Sequence, residues 1–583
     1  MTFISSSDIN MYSANQEAIN MFLRETVIKK ASGEYHYWRL VKTYWDKAKK
    51  KVRHKTIKQL GRLKPNEIAF FKDSLAGKAG KRFSWEELTC KKSFEYLSVA
   101  ILHRIWKYWG LDALIEDKTI EVLTINRSLS PESDYQLSRW YEETILPRIL
   151  NLNLNPTKIY RALDGIPALT AKIQQHLYAK INSLGLDDYE LVFYDITSSY
   201  FQQSNSSLAA YGLSRDHRGD KKQIILALAV TKKGFPFYWQ VLKGNTADTK
   251  TVKVFVDELK QFFNIKDTCL VMDKGMVSIT NIEKIQTENF NYVVTLRRNS
   301  IAKLKGVPWN YLRSINENNV ESKKDYFIRH SKRAYYKELP SYENKRYILC
   351  FNPEKFLTER QCRIDKIISI KKHLDEKNKQ LSKALGRRHR ELLREELNRY
   401  LEKRSAYGLF SFRLIAKEKT FQISYKILKK AVEEAAKLDG IYCLMTNLKT
   451  ASPKELIDAY RNRMEIERSF HQLKSFVEIR PIYHHNEERI KAHVTVCVLA
   501  YLLNNTVMHL TRQKKDFEEL TAQSIYNYLK SCKLVELSAS GEQKLKLTAL
   551  TDEQVQLTKI LADKSLLEEE GIQQLLPVPT GGK

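Results

Sequence analysis

The chain has 583 residues, 43% of them hydrophobic and 11% aromatic, enough for a large core and several domains and too much for a disordered polymer. Lys and Arg outnumber Asp and Glu by 98 to 68, a formal charge of +30 that favours nucleic acid over an anionic membrane as partner. The longest apolar run, VTVCVLAYLL from Val494, is about half a bilayer span, and the N-terminus MTFISSSDINMYS lacks a secretory pattern.

Residues 34–64 read as two alternating strands joined by a polar turn at Asp46–Lys49. Ten Lys/Arg and one acid lie between Lys42 and Lys64, with Tyr35, Tyr37, Trp38, Tyr44 and Trp45 among or just before them. Cations interleaved with aromatics suit a nucleic-acid surface, so Lys49, Lys50, Lys51 and Arg53 are candidate DNA contacts; a hairpin with a solvated basic face is the plainer alternative. Residues 65–180 read as helical, with Trp106, Trp109 and Trp140 expected in the core.

At Leu191 the pattern changes. LVFYDITSSYF, QIILALAVTKKG and FPFYWQVLKGN read as three successive strands. TKTVKVFVDELKQFF is an amphipathic helix, TCLVMDKGMVS a short strand ending in an acid, and NYVVTLRRN a further strand. Hairpins followed by a crossover predict a mixed α/β sheet of RNase H-like type. From Asn299 to Lys449 more strands surround a charged block at 359–404, read as two helices folded about Gly386. Ile364, Ile367, Leu374, Leu381 and Leu385 form one seam, and Leu393, Leu397, Tyr400 and Leu401 its partner. A solvated helix pair, a DNA clamp and a dimer contact all stay open for it.

YRNRMEIERSFHQLKSF, Tyr460–Phe476, has no proline or glycine and predicts one helix. At about 100° per residue, Tyr460, Arg463, Glu467 and Lys474 fall within an arc of about 60° beside the apolar stripe of Ile466, Phe470, Leu473 and Val477. An apolar helix over His493–Leu510 follows, then a polar C-terminal stretch expected to be helical. The seven cysteines are scattered and never spaced CxxC. That spacing argues against a zinc ribbon or disulfide framework, and each is expected as a lone buried thiol in a reducing cytosol.

An acid within an apolar strand is costly unless it faces a site. Asp195 in YDIT and Asp273 in MDKG are both so placed, and on neighbouring strands they would stand side by side. Glu467, at the rim of a helix on that sheet, could complete a trio. Three converging carboxylates repel one another, and a hard divalent cation bound by oxygen alone, Mg²⁺ or Mn²⁺, relieves that. Two such ions about 4 Å apart form the clamp for in-line attack at phosphorus. Arg463 suits bidentate phosphate contact and Lys474 a point charge, with ion pairing the alternative for each. Asn245 and Asp248 could position water or backbone, though helix capping is simpler. His217, His484, His485 and His493 lack metal-ligand spacing.

The arrangement Tyr460–x2–Arg463–x3–Glu467–x6–Lys474 resembles the DDE transposases of bacterial insertion sequences, in the branch with a Tyr-Arg-Glu-Lys signature and a β-rich insertion before the last acid. YDITSSYF, GLSRDHRGDKKQ with GNTADTKT, MDKGM, DGIYCLMTN and IRPIYHHNEERIKAHV all resemble family segments, and the basic hairpin ending in LGRL resembles one subfamily's N-terminus. The likeness covers residues 35–510; the hairpin at 359–404 is larger than the family leads one to expect. It implies an RNase H-like core, and two Mg²⁺ or Mn²⁺ ions on Asp195, Asp273 and Glu467. It further implies phosphate contacts by Arg463 and Lys474, and strand orientation by Tyr460. A flipped base would stack on an insertion tryptophan, for which Trp309 is the candidate. Expected partners are the double-stranded terminal inverted repeats and target DNA, bound by a homodimer in the cytoplasm at the nucleoid, without a membrane.

The expected organisation is a basic DNA-binding region at 1–95, a helical domain at 96–185, core at 186–299 and 450–512, an insertion at 300–449, and a C-terminal helical region at 513–583. The expected activity is metal-dependent cleavage and strand transfer, cut-and-paste with a DNA hairpin as one route. A catalytically inactive DNA-binding descendant and an RNase H-like nuclease without joining are the rivals.

Overall fold

The computed structural model describes residues 21–576 apart from 31–32, 77–87, 187–190, 264, 266–267, 308, 310–311, 313–325, 332–333, 384–388, 405, 407, 419 and 540–541. Two compact units emerge, one of Met1–Lys92 with Val535–Lys546 and one of Ser93–Leu534 with Leu547–Lys583.

In the first unit, β1 (Met21–Lys30), β2 (Gly33–Asp46) and β3 (Lys51–Gly61) form an antiparallel sheet in that order. The expected hairpin is there, extended by β1, a strand the sequence reading missed. Its turn is fixed locally: the Asp46 carboxylate accepts from the Ala48 and Lys49 amides, both at 3.1 Å, and Lys50 takes a left-handed conformation at φ 45°. Trp38 and Val41 are buried, and Lys72 of helix Pro65–Leu75 lies 5.8 Å from the Trp38 ring. A further strand, β4 (Thr89–Glu95), follows.

The second unit begins with helices, among them Leu97–Tyr108, Lys118–Leu129 and Pro156–Ser183, and buries Trp106, Trp109 and Trp140 as expected. These helices pack around Glu487–Thr511, which is longer than the apolar run because its flanking polar residues also coil. By length and composition this helix could cross a membrane, but it is buried among the others. Two of its hydroxyls take up buried indole donors: Trp109 Nε1 donates to Thr506 Oγ1 at 2.8 Å, and Trp239 Nε1 to Thr495 Oγ1 at 3.1 Å.

Against this bundle lies a nine-stranded sheet. Its strands are β5 (Leu191–Tyr200), β6 (Gln223–Thr231), β7 (Pro236–Lys243), β8 (Cys269–Met272), β9 (Asn291–Thr295), β10 (Ile328–Ser331), β11 (Ala334–Tyr342), β12 (Lys345–Phe351) and, after β13 (Phe410–Ala416) and β14 (Phe421–Ile427), β15 (Ile441–Thr446). The order is β10-β11-β12-β15-β9-β8-β5-β6-β7. β5, β6 and β7 are an antiparallel meander, whereas β8 and β9 run parallel to β5, reached by the crossover helices Asp248–Gln261 and Ile279–Thr287. Strands from the stretch expected as an insertion thus continue the same sheet through β15, which pairs with β9.

β13 and β14 stand apart as a two-stranded pair packed with helices Pro353–Ser382 and Arg390–Lys403. Their seam holds Ile370, Leu374, Leu381, Leu393, Leu397 and Leu401. Ile364, expected in it, is exposed because the first turns of its helix pack elsewhere, Phe356 joining a cluster with Phe351 and Ile441. The expected turn at Gly386 lies outside the described residues, as does Leu385. The C-terminal stretch, expected to be helical, also contains β16 (Lys533–Ala539) and β17 (Glu542–Leu547), whose EQKLKL follows strand alternation. Five cysteines are buried thiols; Cys90 and Cys362 are exposed, correcting the expectation for those two.

The helix Pro353–Ser382 is tied to the sheet by one buried ion pair. Arg363 reaches both carboxylate oxygens of Asp439, which is fully buried ahead of β15. Gly440 follows at φ 66°, where an added Cβ would stand 2.5 Å from the Asn352 carbonyl oxygen. Removing one partner leaves the other charged and dry. Asp439→Ala is therefore expected to destabilise the second unit by about 3–5 kcal/mol, read as a lowered urea midpoint.

Candidate active site

The site is built on β5. Tyr194 points to the face covered by helix Asp248–Gln261, its ring stacked on Phe255 at 4.0 Å and 8°. Strand alternation sends Asp195 to the opposite face, where helix Met464–Ser475 packs on β5. The parallel register of β5 and β8 pairs Phe193 with Val271. Carried two residues on, it sets Asp195 beside Asp273, just past the fully buried β8. Thr295, at the end of β9, holds its hydroxyl 3.5 Å from Asp273 Oδ1 and 3.4 Å from the Tyr460 hydroxyl.

The predicted single helix over 460–476 is two helices, Pro453–Asn462 and Met464–Ser475, meeting at Arg463. There the ladder tightens, with Arg463 N bonded to Tyr460 O at 3.2 Å and Ile466 N to Arg463 O at 3.1 Å, both i→i+3. Neither glycine nor proline marks the break. Arg463 stands at the junction and gathers all three acids. Its Nη1 is 3.8 Å from Asp195 Oδ2 and 3.8 Å from Asp273 Oδ1, and its Nη2 is 2.5 Å from Glu467 Oε1. The two aspartate oxygens can therefore be no farther apart than twice 3.8 Å.

Burial falls along the trio, the side chains of Asp195, Asp273 and Glu467 being 17%, 36% and 53% exposed. Asp195 is held up at about 6, above the usual carboxylate range. Loss of solvent is the main cause, the neighbouring Asp273 adds to it, and its hydrogen bond from Ile196 N and the charge of Arg463 oppose it. All donors are carboxylate oxygens, a set suited to a hard divalent ion. With the guanidinium between them, the acids occupy the place of ligands around a cation but not at ligand distance. Among the described residues, no three acidic, imidazole or thiol groups form a ready cage.

Lys474 lies farther along the second helix in a different ion cluster. Its Nζ donates to Asp216 Oδ1 at 2.7 Å, and Arg480 Nη1 bonds the same oxygen. Asp216 is buried, and its Oδ2 has no hydrogen-bond partner. Burial lowers the Lys474 pKa while Asp216 opposes the shift. Arg215 links this cluster to β5: its amide donates to Ser198 Oγ at 2.9 Å and its Nη2 to Asp248 Oδ2 at 2.7 Å. Asp248 is thus an arginine partner in the first helical turn, and the residue at the cap position is Ala247. Gly275 of MDKGM leaves room for it, since a Cβ there would stand 2.8 Å from Asp248 Oδ2.

The structure therefore brings together Asp195, Asp273, Glu467, Tyr460 and Arg463, and places Lys474 with Asp216. Thr295, Arg215, Asp216 and Arg480 were missed as contributors. Two of them lie in GLSRDHRGDKKQ, where their charges without apolar periodicity were the available signal. Trp309 is half-buried against the insertion core, with Lys437 Nζ 5.3 Å from its ring. His493 is buried, its Nε2 3.1 Å from the Ile479 carbonyl oxygen. Lys49, Lys50 and Lys51 are exposed in the first unit, and Arg53 pairs there with Asp46 at 3.2 Å.

Residues 188–503, more than half of the chain, match the Transposase DDE domain family. The chain belongs to the DDE transposases. Residues 23–86 match the N-terminal domain of IS1634 family transposases, which with the DDE domain supports the insertion-sequence assignment. Comparison with curated proteins finds no relative. Among solved structures, a cryo-EM piggyBac transposase synaptic complex with hairpin DNA is similar at a TM-score of 0.34 and 8% identity, over 80% of this chain and 77% of that one. That likeness is too slight to bear an argument. As a DDE transposase, the protein is a DNA-cleaving and strand-transferring enzyme.

The transposase gives up stability to keep Asp195. Between pH 4 and 6 the folded protein holds the Asp195 proton more tightly than the unfolded chain, so this group's contribution improves as pH falls through about 6. Without divalent ions, Asp195→Asn is expected to be more stable than the natural transposase at pH 7.5, by about 1–3 kcal/mol. That difference should close near pH 4, as thermal melts across the range will show.

Proposed function

We propose that Asp195, Asp273 and Glu467 hold two divalent ions, Mg²⁺ or Mn²⁺, with which the transposase cuts and joins strands at the terminal inverted repeats of its own insertion sequence. The observation that supports this most directly is the convergence of the three acids on one guanidinium. Bound ions would lower the pKa of the attacking water or 3′ hydroxyl and stabilise the leaving oxygen in an in-line displacement. We read β5 to β9 as the RNase H-like core that presents Asp195 and Asp273.

The protein's own groups do the rest. In the resting state Arg463 offsets part of the acids' charge; with cations in place it would turn to the DNA, where its planar fork grips a phosphate. Tyr460, braced by Thr295 and by the Arg463 group 5.3 Å from its ring, orients the strand. Lys474 and Arg480 place two cations around the single carboxylate of Asp216, and the surplus charge attracts the phosphate next to the cleaved bond. Both ends of the element must be held for joining, and a homodimer on the DNA, acting at the nucleoid, supplies two sites.

The test incubates the transposase with Mg²⁺ or Mn²⁺ and end-labelled duplex carrying the element's ends. Nicked and joined products are expected, with any hairpin intermediate visible on a denaturing gel. Asp195→Asn, Asp273→Asn and Glu467→Gln should each lower the rate at least ~10²-fold while DNA binding persists. Binding without cleavage by the natural chain would instead mark a DNA-binding descendant. Cleavage with neither end preference nor joining would mark a nuclease.

A further inference from the structure

We propose that the tip of the β2–β3 hairpin is a two-stranded ribbon that enters the DNA major groove and reads base edges with one face, that of Tyr44 and Arg53. This deepens the DNA-processing reading above and rests on it. Among the described residues β1 reaches only as far as Lys42, opposite Met21. The next four pairs, Thr43–His54, Tyr44–Arg53, Trp45–Val52 and Asp46–Lys51, are made by β2 and β3, with no third strand among the described residues. At ~3.4 Å per residue they extend ~13 Å before the turn, more than the ~8.5 Å depth of the major groove. Two backbones ~5 Å apart with flanking side chains are too broad for the ~6 Å minor groove and fit the ~12 Å major groove.

The register sorts the faces. Lys42 and Lys55, Tyr44 and Arg53, and Asp46 and Lys51 share one face; Thr43, His54, Trp45 and Val52 share the other. Contacts agree with this division. Arg53 Nε lies 3.2 Å from Asp46 Oδ2 on the first face. Thr43 Oγ1 lies 3.4 Å from His54 Nδ1 on the second, and the Phe22 ring 5.3 Å from that of His54. The first face carries four cations against one acid, and the exposed Lys47, Lys49 and Lys50 of the turn add three more. The second exposes the apolar Trp45 and Val52 at the tip, with Thr43 and His54 engaged with each other behind them.

Asp46 divides the work. One of its oxygens closes the turn through two backbone amides, and the other holds Arg53 by Nε. That contact does not use the terminal nitrogens with which arginine reads guanine O6 and N7. Arg53 is thereby oriented for base reading, while the turn lysines contact phosphate on either wall of the groove.

The test measures binding of full-length protein to end duplex and to unrelated duplex across a salt series. Arg53→Ala is expected to relax the preference for ends about 5- to 100-fold. Arg53→Lys should do the same with affinity for unrelated DNA retained, because the charge stays and the fork is lost. Lys47→Ala with Lys49→Ala should weaken both DNAs alike and flatten the log–log salt slope by about 2. Trp45→Ser should change neither, and guanine N7 methylation of the ends should block binding. Undiminished end preference in both Arg53 variants, or its loss in Trp45→Ser, overturns the ribbon assignment, as does interference confined to adenine N3 in the minor groove. Thermal melts confirm that each variant folds. Ends cut by the natural chain and by Arg53→Ala with equal selectivity would sink this proposal alone; ends never cut by the natural chain would sink the catalytic reading instead.

Discussion

Three carboxylates cannot share a half-buried pocket without a cation, and the centre of this protein is arranged around that constraint. At an effective dielectric near 20, two like charges about 7 Å apart repel by roughly 2 kcal/mol, and three acids carry three such terms. A single arginine touches all of them. It does not restore Asp195 to ordinary acidity, because burial outweighs the hydrogen bond from Ile196 N and the charges of Arg463 and Arg215. At neutral pH the acids and Arg463 together retain a net negative charge of about two. The pocket is therefore short of positive charge by the amount one divalent ion supplies; with Arg463 turned away, two divalent ions and one phosphodiester would balance the three acids.

The neighbouring cluster has the opposite deficit. Asp216 faces Lys474 and Arg480 and has one buried oxygen without a partner, so that group carries a surplus positive charge. Arg215 and Asp248 cancel each other. Both clusters are anchored to the same strand, Asp195 directly and the loop of Asp216 through Ser198. A cation-seeking pocket and an anion-seeking one thus sit a few residues apart on β5, an arrangement complementary to a metal-bound phosphodiester and to few other ligands.

The sequence disclosed those features that local physics determines. Asp195 and Asp273 stood out because acids are rare in apolar strands, and the succession from β5 to β9 followed from period and composition. The basic hairpin and its turn were legible because Asp46 and its lysines act within a few residues of one another. The helix break at Arg463 was not: no proline or glycine marks it, and helical periodicity runs through it undisturbed. The salt bridges of Asp216 join residues 258 apart in sequence, as the Lys474 contact shows, and no local pattern reports them. The alignment of β15 with β9 was hidden for the same reason, since a strand's partner is a tertiary choice.

That alignment bears on how the site could be controlled. An insertion hung on flexible linkers would leave the acids indifferent to its movements. Here β15 pairs with β9, with Leu444 opposite Thr295, and Thr295 touches both Asp273 and Tyr460. The Tyr442 ring, on the same strand, lies 6.3 Å from that of Tyr460. Beyond β15 the chain leads within a few residues into the helix that carries Tyr460 and ends at Arg463. At the start of β15, the pairing of Arg363 with Asp439 couples the helical hairpin to the same strand. The helical hairpin is thus joined to the three acids by a packed strand and a buried ion pair. Close-packed elements of this kind shift between discrete arrangements and do not deform gradually, so a displacement of the strand that carries Leu444 would be felt at Thr295, against which Asp273 and Tyr460 rest.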